Sequence, residues 1–168
     1  MANPNKAKGT AWESAVRDYL NRDLGLAHSD GTPRDPFSPL NVRRPAQEGV
    51  KDVGDVHAVP FILECKDCKS SAIPTWLRQT RVEAKNAGFP FGVAVVKLRR
   101  HGVHSGSVHF DVRTWTRVRL ALGLKSADMY ARYGFKLSMR GLDTSRWYFT
   151  SDVYFFSRIL ADVRKVLA

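Results

Sequence analysis

The chain reads as an α/β domain, a central mixed β-sheet flanked by helices. Three observations lead there. Residues 7–24 carry apolar side chains at helical spacing, "VHAVPFILECK" reads as a β-hairpin, and a helical stretch at 72–87 joins that hairpin to the valine-rich run "FGVAVVKL" at 91–98. A helix between two strands is the crossover that parallel pairing requires, whereas hairpin strands are antiparallel, so the sheet must be mixed. At 168 residues the chain is the size of one ordinary domain with a real hydrophobic core.

In the first helix Ala11, Trp12, Ala15, Val16, Tyr19 and Leu20 recur at i, i+3, i+4 and form the face that packs on the sheet. Glu13 lies beside that stripe. It has two readings, an i,i+4 ion pair with Arg17 or a third acid at a site on the sheet. From Gly25 to Lys51 the run of Gly31, Pro33, Pro36, Pro39, Pro45 and Gly49 predicts an extended loop, whose Arg34, Arg43 and Arg44 have two readings, contact with a phosphate backbone or a merely solvated loop. Asp52, Val53, Gly54 and Asp55 lead into the first hairpin strand, and Val59-Pro60 makes the turn. His57 shares a strand face with Asp55 and reads as a packing or surface histidine.

The second strand begins apolar with Phe61, Ile62 and Leu63 and ends on Glu64, Cys65 and Lys66, a buried strand delivering charge at its end. Ser70, Ser71 and Pro74 open the next helix and Gly88 closes it. Its buried stripe is Ile73, Trp76, Leu77, Thr80, Ala84 and Ala87, leaving Arg78, Gln79, Arg81 and Lys85 outside, with Gln79 able to lean back toward the acids. Beyond the strand at 91–98 come a basic turn "RRHGVHSGS", a strand near 107–112, a basic helix from Thr114 to Leu122, a short strand "SRWYFT", and a last helix to Val166 capped by Ser151 or Asp152. The apolar residues of that helix, from Val153 to Val163, cover more than one face, which suggests contact with a second subunit.

Charge narrows the partner. Lys and Arg number 27 against 16 Asp and Glu, a formal net charge of +11. Residues 97–146 hold eleven Lys or Arg against Asp111, Asp128 and Asp143. Such an excess seeks a polyanion, and nucleic acid fits best. An anionic membrane surface is the other candidate, but there is no apolar stretch of membrane-spanning length and no signal-like start, so a cytoplasmic protein is expected. Cys65 and Cys68 form one C-x-x-C. Zinc would need His101 and His104 at a spacing far longer than compact fingers use, and Cys65 reads more simply as a small core residue.

The chemistry concentrates in Asp55, Glu64 and Lys66. A hairpin brings the two carboxylates to one end of the sheet, and strand alternation puts Glu64 and Lys66 on one face. Two carboxylates suit a hard divalent cation beside a phosphate, and a lysine adds fixed positive charge for an attacking hydroxide or for the charge that builds on phosphorus oxygens. The pattern points to metal-dependent phosphodiester cleavage.

The order of these parts resembles the PD-(D/E)xK nuclease superfamily, and within it the Holliday-junction resolvases of archaeal and phage type. The resemblance rests on Lys8-Gly9 followed by Glu13, "DVGDV" with Asp55, Glu64-Cys65-Lys66, and Gln79, over roughly residues 8–98. Gly54 stands where the superfamily name has proline. The resemblance implies a restriction-endonuclease-like core, while the chain as a whole reads as a single domain, 1–168. Its remainder of about 99–168 carries no matching motif and is read from its charge and its last helix as a basic DNA-binding elaboration with room for a dimer contact. The resemblance also implies a homodimer that nicks branched double-stranded DNA with Mg²⁺, for which Mn²⁺ substitutes. Asp55, Glu64 and the Cys65 carbonyl would hold the metal, Lys66 would serve the water and the transition state, and Glu13 and Gln79 would complete the site. Arg43, Arg44, Arg99, Arg100, Arg113 and Arg117 would take phosphates. The rivals are a nuclease of the same core acting on linear or flap DNA, and a DNA-binding module that has lost catalysis.

Overall fold

The computed structural model describes residues 3–46 and 49–168. The chain begins with helix α1 (Pro4–Asp23) and, after the long loop, forms the hairpin β1 (Val56–Ala58) and β2 (Phe61–Lys66). Helix α2 (Ile73–Ala87) crosses to β3 (Phe91–Val96), followed by β4 (Ser107–Asp111), α3 (Val112–Ala121), α4 (Ser126–Tyr133), β5 (Lys136–Ser138), β6 (Tyr148–Asp152) and α5 (Val153–Leu167). These strands make one sheet in the order β1-β2-β3-β4-β6-β5. Only β2 and β3 pair in parallel, as the helical crossover dictates; the other neighbours are antiparallel. The α/β class and the mixed sheet flanked by helices are as expected.

Strand alternation divides the sheet into two unlike faces. Phe61, Leu63 and Cys65 of β2, Val93 and Val95 of β3, and Val108 and Phe110 of β4 belong to the main core with α1 and α5. Phe61 is central, its ring 5.0 Å from Phe91 and 5.2 Å from Phe156. Trp12 hangs α1 on the sheet, its indole N–H donating to the Val95 carbonyl at 3.1 Å. The opposite face, with Ile62, Glu64 and Lys66, lies under α2. Gly92 permits that approach, because a Cβ there would stand 2.6 Å from the Thr80 carbonyl.

Differences from expectation cluster after residue 111. The basic helix begins at Val112, where the Asp111 carboxylate accepts from the Thr114 N–H at 2.6 Å. Helix α4 and strand β5 were not foreseen. Asp152 alone caps α5, accepting from Phe155 N–H at 2.8 Å, while the Ser151 hydroxyl donates to the Tyr133 carbonyl at 2.6 Å. The wide apolar surface of α5 is largely consumed within the chain: Val153, Phe156, Ile159, Leu160 and Val163 are fully buried, and α4 supplies part of the cover. That face therefore does not need a second subunit. The loop spans 25–51 without a regular element among its described residues, Gln47 and Glu48 lying outside them, and its Arg43 makes a backbone bridge with His57. Among the described residues no helix is long and apolar enough to cross a membrane.

Candidate active site

Asp55 sits one residue before β1 and is held by two bonds to β2. Its N–H donates to the Leu63 carbonyl at 3.1 Å, and its carboxylate accepts from the Cys65 N–H at 2.8 Å. Those bonds aim the carboxylate across the end of β2. Leu63 turns its carbonyl toward β1, so strand periodicity aims the Cys65 carbonyl at the same edge, past the end of β1. The Cys65 side chain points the other way, into the core. Cys68 is at the surface, its thiol donating to the Ser70 carbonyl at 3.2 Å, so the two cysteines do not share an environment.

Glu64 is 4 % exposed. The Lys66 ammonium is bonded to its carboxylate, and the Gln79 amide donates to the same oxygen at 3.2 Å. Asp55, Glu64, Lys66 and Gln79 are thus brought together. Burial and then the charge of Glu64 push the Asp55 pKa up to about 6. Burial opposes the charge on Lys66, but the bonded Glu64, with Asp55 and Glu83 behind it, keeps its pKa above the ordinary lysine value. Two carboxylates crowded beyond what one lysine relieves form a set of hard oxygen donors that a divalent cation fits.

Glu13 joins from α1. Its carboxylate pairs with Arg44 at 2.6 Å, while Arg17 turns to Asp18 at 2.8 Å. Burial and then the charge of Asp55 raise the Glu13 pKa, with Arg44 pulling the other way. Glu13, Arg44 and Asp55 border a cavity of about 340 Å³ together with Lys6 and Thr10. The long loop therefore contributes Arg44 to the wall of the site, while Arg43 beside it stays exposed. His57 is 8 % exposed; its ring nitrogen lies 2.7 Å from the Val53 carbonyl and its edge meets Phe89, so it packs the hairpin instead of serving the acids.

The other expected phosphate contacts fall in two places. Arg99 and Arg100 are exposed just beyond β3, at the sheet end where Lys66 lies. Arg113 and Arg117 belong to the opposite end, because β4 runs back before α3 begins. There they line a groove of about 740 Å³ with Lys51, Arg81 and Lys85. Arg117 also donates to the Pro90 carbonyl at 2.9 Å, and Arg81 is paired with Asp111.

One residue at the site escaped the sequence reading. Glu83 is 1 % exposed on α2; among the described residues neither carboxylate oxygen has a partner in good hydrogen-bond geometry, although Gln79 and Glu64 lie near enough to act on it. Burial and then the charges of Glu64 and Asp52 push its pKa up to about 8. A signal was present: Trp76, Thr80, Glu83 and Ala87 keep helical spacing, so Glu83 is a charge inside an otherwise buried stripe.

No family model matches the chain, and comparison with curated proteins and with solved structures finds no match.

Proposed function

We propose that this chain is a metal-dependent endodeoxyribonuclease of the PD-(D/E)xK kind, with a restriction-endonuclease-like core, acting on four-way DNA junctions as a homodimer. The observation that carries the reading is the convergence of Asp55 and Glu64 at the end of the hairpin with Lys66 bonded to Glu64. Asp55, Glu64 and the Cys65 carbonyl would hold Mg²⁺ or Mn²⁺. Such an ion lowers the pKa of a bound water and neutralises charge on a phosphate. Gln79 fixes the rotamer of Glu64 through its amide. Lys66, strongly protonated, supplies an N–H donor and positive charge to the attacked phosphate or to the water beside it. Glu13, tethered by Arg44, closes the α1 side and keeps a carboxylate at hydrogen-bond reach of water in the cavity.

The basic surface supports a duplex partner. Arg99 and Arg100 lie exposed at the same end of the sheet as Lys66, and the groove with Arg113 and Arg117 offers a second phosphate track at the other end. Contacts of this kind position DNA by shape and respond steeply to salt. The test is cleavage, with Mg²⁺, of a synthetic four-way junction beside a linear duplex of matched sequence. Junction-selective nicking is expected. Equal cutting of both would replace the junction by linear or flap DNA, and cutting of neither would leave a binding module.

A further inference from the structure

The long loop after α1 is fixed by bonds that no sheet supplies. The Asn21 side chain, on α1, donates to the Val42 carbonyl and accepts from the Val42 N–H, both at 2.8 Å. The Asn21 carbonyl accepts from the Leu26 N–H at 2.8 Å, and the Leu26 carbonyl from the Arg34 N–H at 2.9 Å. Arg43 is bridged to His57 through its backbone. These bonds fold the loop back against α1 and leave a cavity of about 380 Å³ between the two. A space of that size falls in the range of small-molecule sites, roughly 300–1,000 Å³.

Its walls are of two kinds. Leu26, Pro33 and Pro36 make an apolar side, and Arg17, Arg43 and Arg44 a cationic one. Asp18, which also lines the cavity, takes Arg17 at 2.8 Å, and Arg44 pairs with Glu13 at 2.6 Å. Arg43 is exposed, and among the described residues no carboxylate pairs with it. On the rim, between the lining residues Pro36 and Ser38, stands Phe37 with 94 % exposure. A turn holds it there: the Asp35 carboxylate accepts from the Phe37 N–H at 3.0 Å, and the Asp35 carbonyl accepts from the Asn41 amide at 2.7 Å.

An aromatic ring held in water beside guanidiniums can stack a base while the cations take its phosphate. Bases inside a duplex already spend both faces on their neighbours, so only an unstacked base can use such a ring. We propose that this cavity captures one unpaired nucleotide of a DNA strand, its base between Phe37 and the proline wall and its phosphate on Arg43 and Arg44. Arg44 also borders the cavity of Glu13 and Asp55, which sets the captured nucleotide beside the strand that meets the acids. The choice of DNA rests on the proposed nuclease reading. Capture itself needs neither metal nor cleavage, so the two fail separately.

Fluorescence anisotropy of the whole chain in EDTA tests it, with a labelled single-stranded deoxyoligonucleotide, a fully paired duplex of the same sequence, and dAMP or inorganic phosphate as competitors. Phe37→Ala is expected to weaken the single strand about 10-fold and the duplex by about twofold at most. Arg43→Ala is expected to weaken the single strand several fold and to lower the salt slope of log K by about 0.7. In the native chain dAMP should displace the strand better than inorganic phosphate, and in Phe37→Ala no better. Single-strand affinity indifferent to Phe37→Ala would overturn the proposal, and so would an equal loss on duplex, which makes the loop an ordinary duplex contact. Phosphate competing as well as dAMP would leave an anion site only, and a Phe37→Ala loss confined to dAMP would mean a free nucleotide; either result overturns strand capture. Both side chains lie outside the core, and circular dichroism checks that the variants keep their helices. If these losses appear but no junction is cut, the nuclease reading falls and the cavity stands.

Discussion

Acidic residues fare very differently in the two halves of the chain. After residue 99 there are five, all aspartates, and every one is partnered. Asp111 takes Arg81 and caps α3, Asp128 accepts from Lys125 N–H, Asp143 from Ser145, Asp152 caps α5, and Asp162 accepts from the Tyr133 hydroxyl. Around the hairpin, Glu13, Asp55 and Glu83 have their pKa values raised by burial and by one another or by Glu64. The contrast teaches that this chain can satisfy a carboxylate when only folding is at stake. Where it leaves carboxylates crowded, something outside the polypeptide is expected to complete them.

The largest effect that would break this contrast is on turnover. Asp55→Asn or Lys66→Ala should reduce junction cleavage by about 10³-fold or more while leaving junction affinity within a few fold. Single-turnover kinetics with labelled junction reads both quantities, and undiminished rates would move the site elsewhere.

A smaller effect belongs to the other half. Asp111→Ala removes a cap and the partner of Arg81, and should cost about 2 kcal/mol of stability in urea unfolding without slowing cleavage by the folded protein. A variant as stable as the parent would mean that the partnered acids contribute no more than the crowded ones.

The pH dependence should run in a definite direction. The folded-state pKa of Glu83, about 8, and of Asp55, about 6, lie above ordinary carboxylate values, so the folded chain holds protons that the unfolded chain releases. Their contribution is fully present below the ordinary carboxylate range and is lost as pH rises through about 8. His109 acts oppositely: burial lowers its pKa to about 4, so its effect is a loss of stability as pH falls below the ordinary histidine value. Between about pH 6.5 and 8.5 the carboxylates dominate. Metal-free protein should lose stability across that window, Glu83→Gln should be about 1 kcal/mol more stable than the parent at its alkaline end, and Mg²⁺ should flatten the profile. Thermal melts at fixed ionic strength measure it, and a rise in stability with pH would contradict the crowding.

The smallest effect concerns the groove. Arg113→Ala with Arg117→Ala should weaken junction binding several fold and lower the salt slope of log K by about one per lost phosphate contact, with cleavage at saturating DNA unchanged. Filter binding over a salt series distinguishes this from a packing loss, which would leave the slope alone.

Much of the site was legible because its parts are local. Helix α1, the hairpin, α2 and β3 each carry a long periodic pattern closed by a strong signal, such as Gly88 in the left-handed conformation after α2. Glu64 and Lys66 follow from alternation on one strand. Asp55 follows from its place leading into β1, where it stands one residue ahead of the strand. Helix α4 and strand β5 were hidden because they are short and owe their form to partners: Met129 and Tyr133 bury against α5, and β5 exists by pairing with β6. The Glu13–Arg44 pair depends on the path of a long loop, which no periodicity encodes. Glu83 was passed over because a charge in an apolar stripe reads as an interruption.

The Arg164 guanidinium, from the final helix, donates to the Val59 carbonyl at the tip of the hairpin at 2.7 Å, and Phe156 of the same helix packs on Phe61. During vectorial synthesis the acids emerge about a hundred residues before the element that braces their hairpin from behind. A nascent chain therefore carries the Asp55, Glu64 and Lys66 cluster on an unbraced hairpin until α5 has left the ribosome, so the geometry of that cluster is tied to completion of the fold.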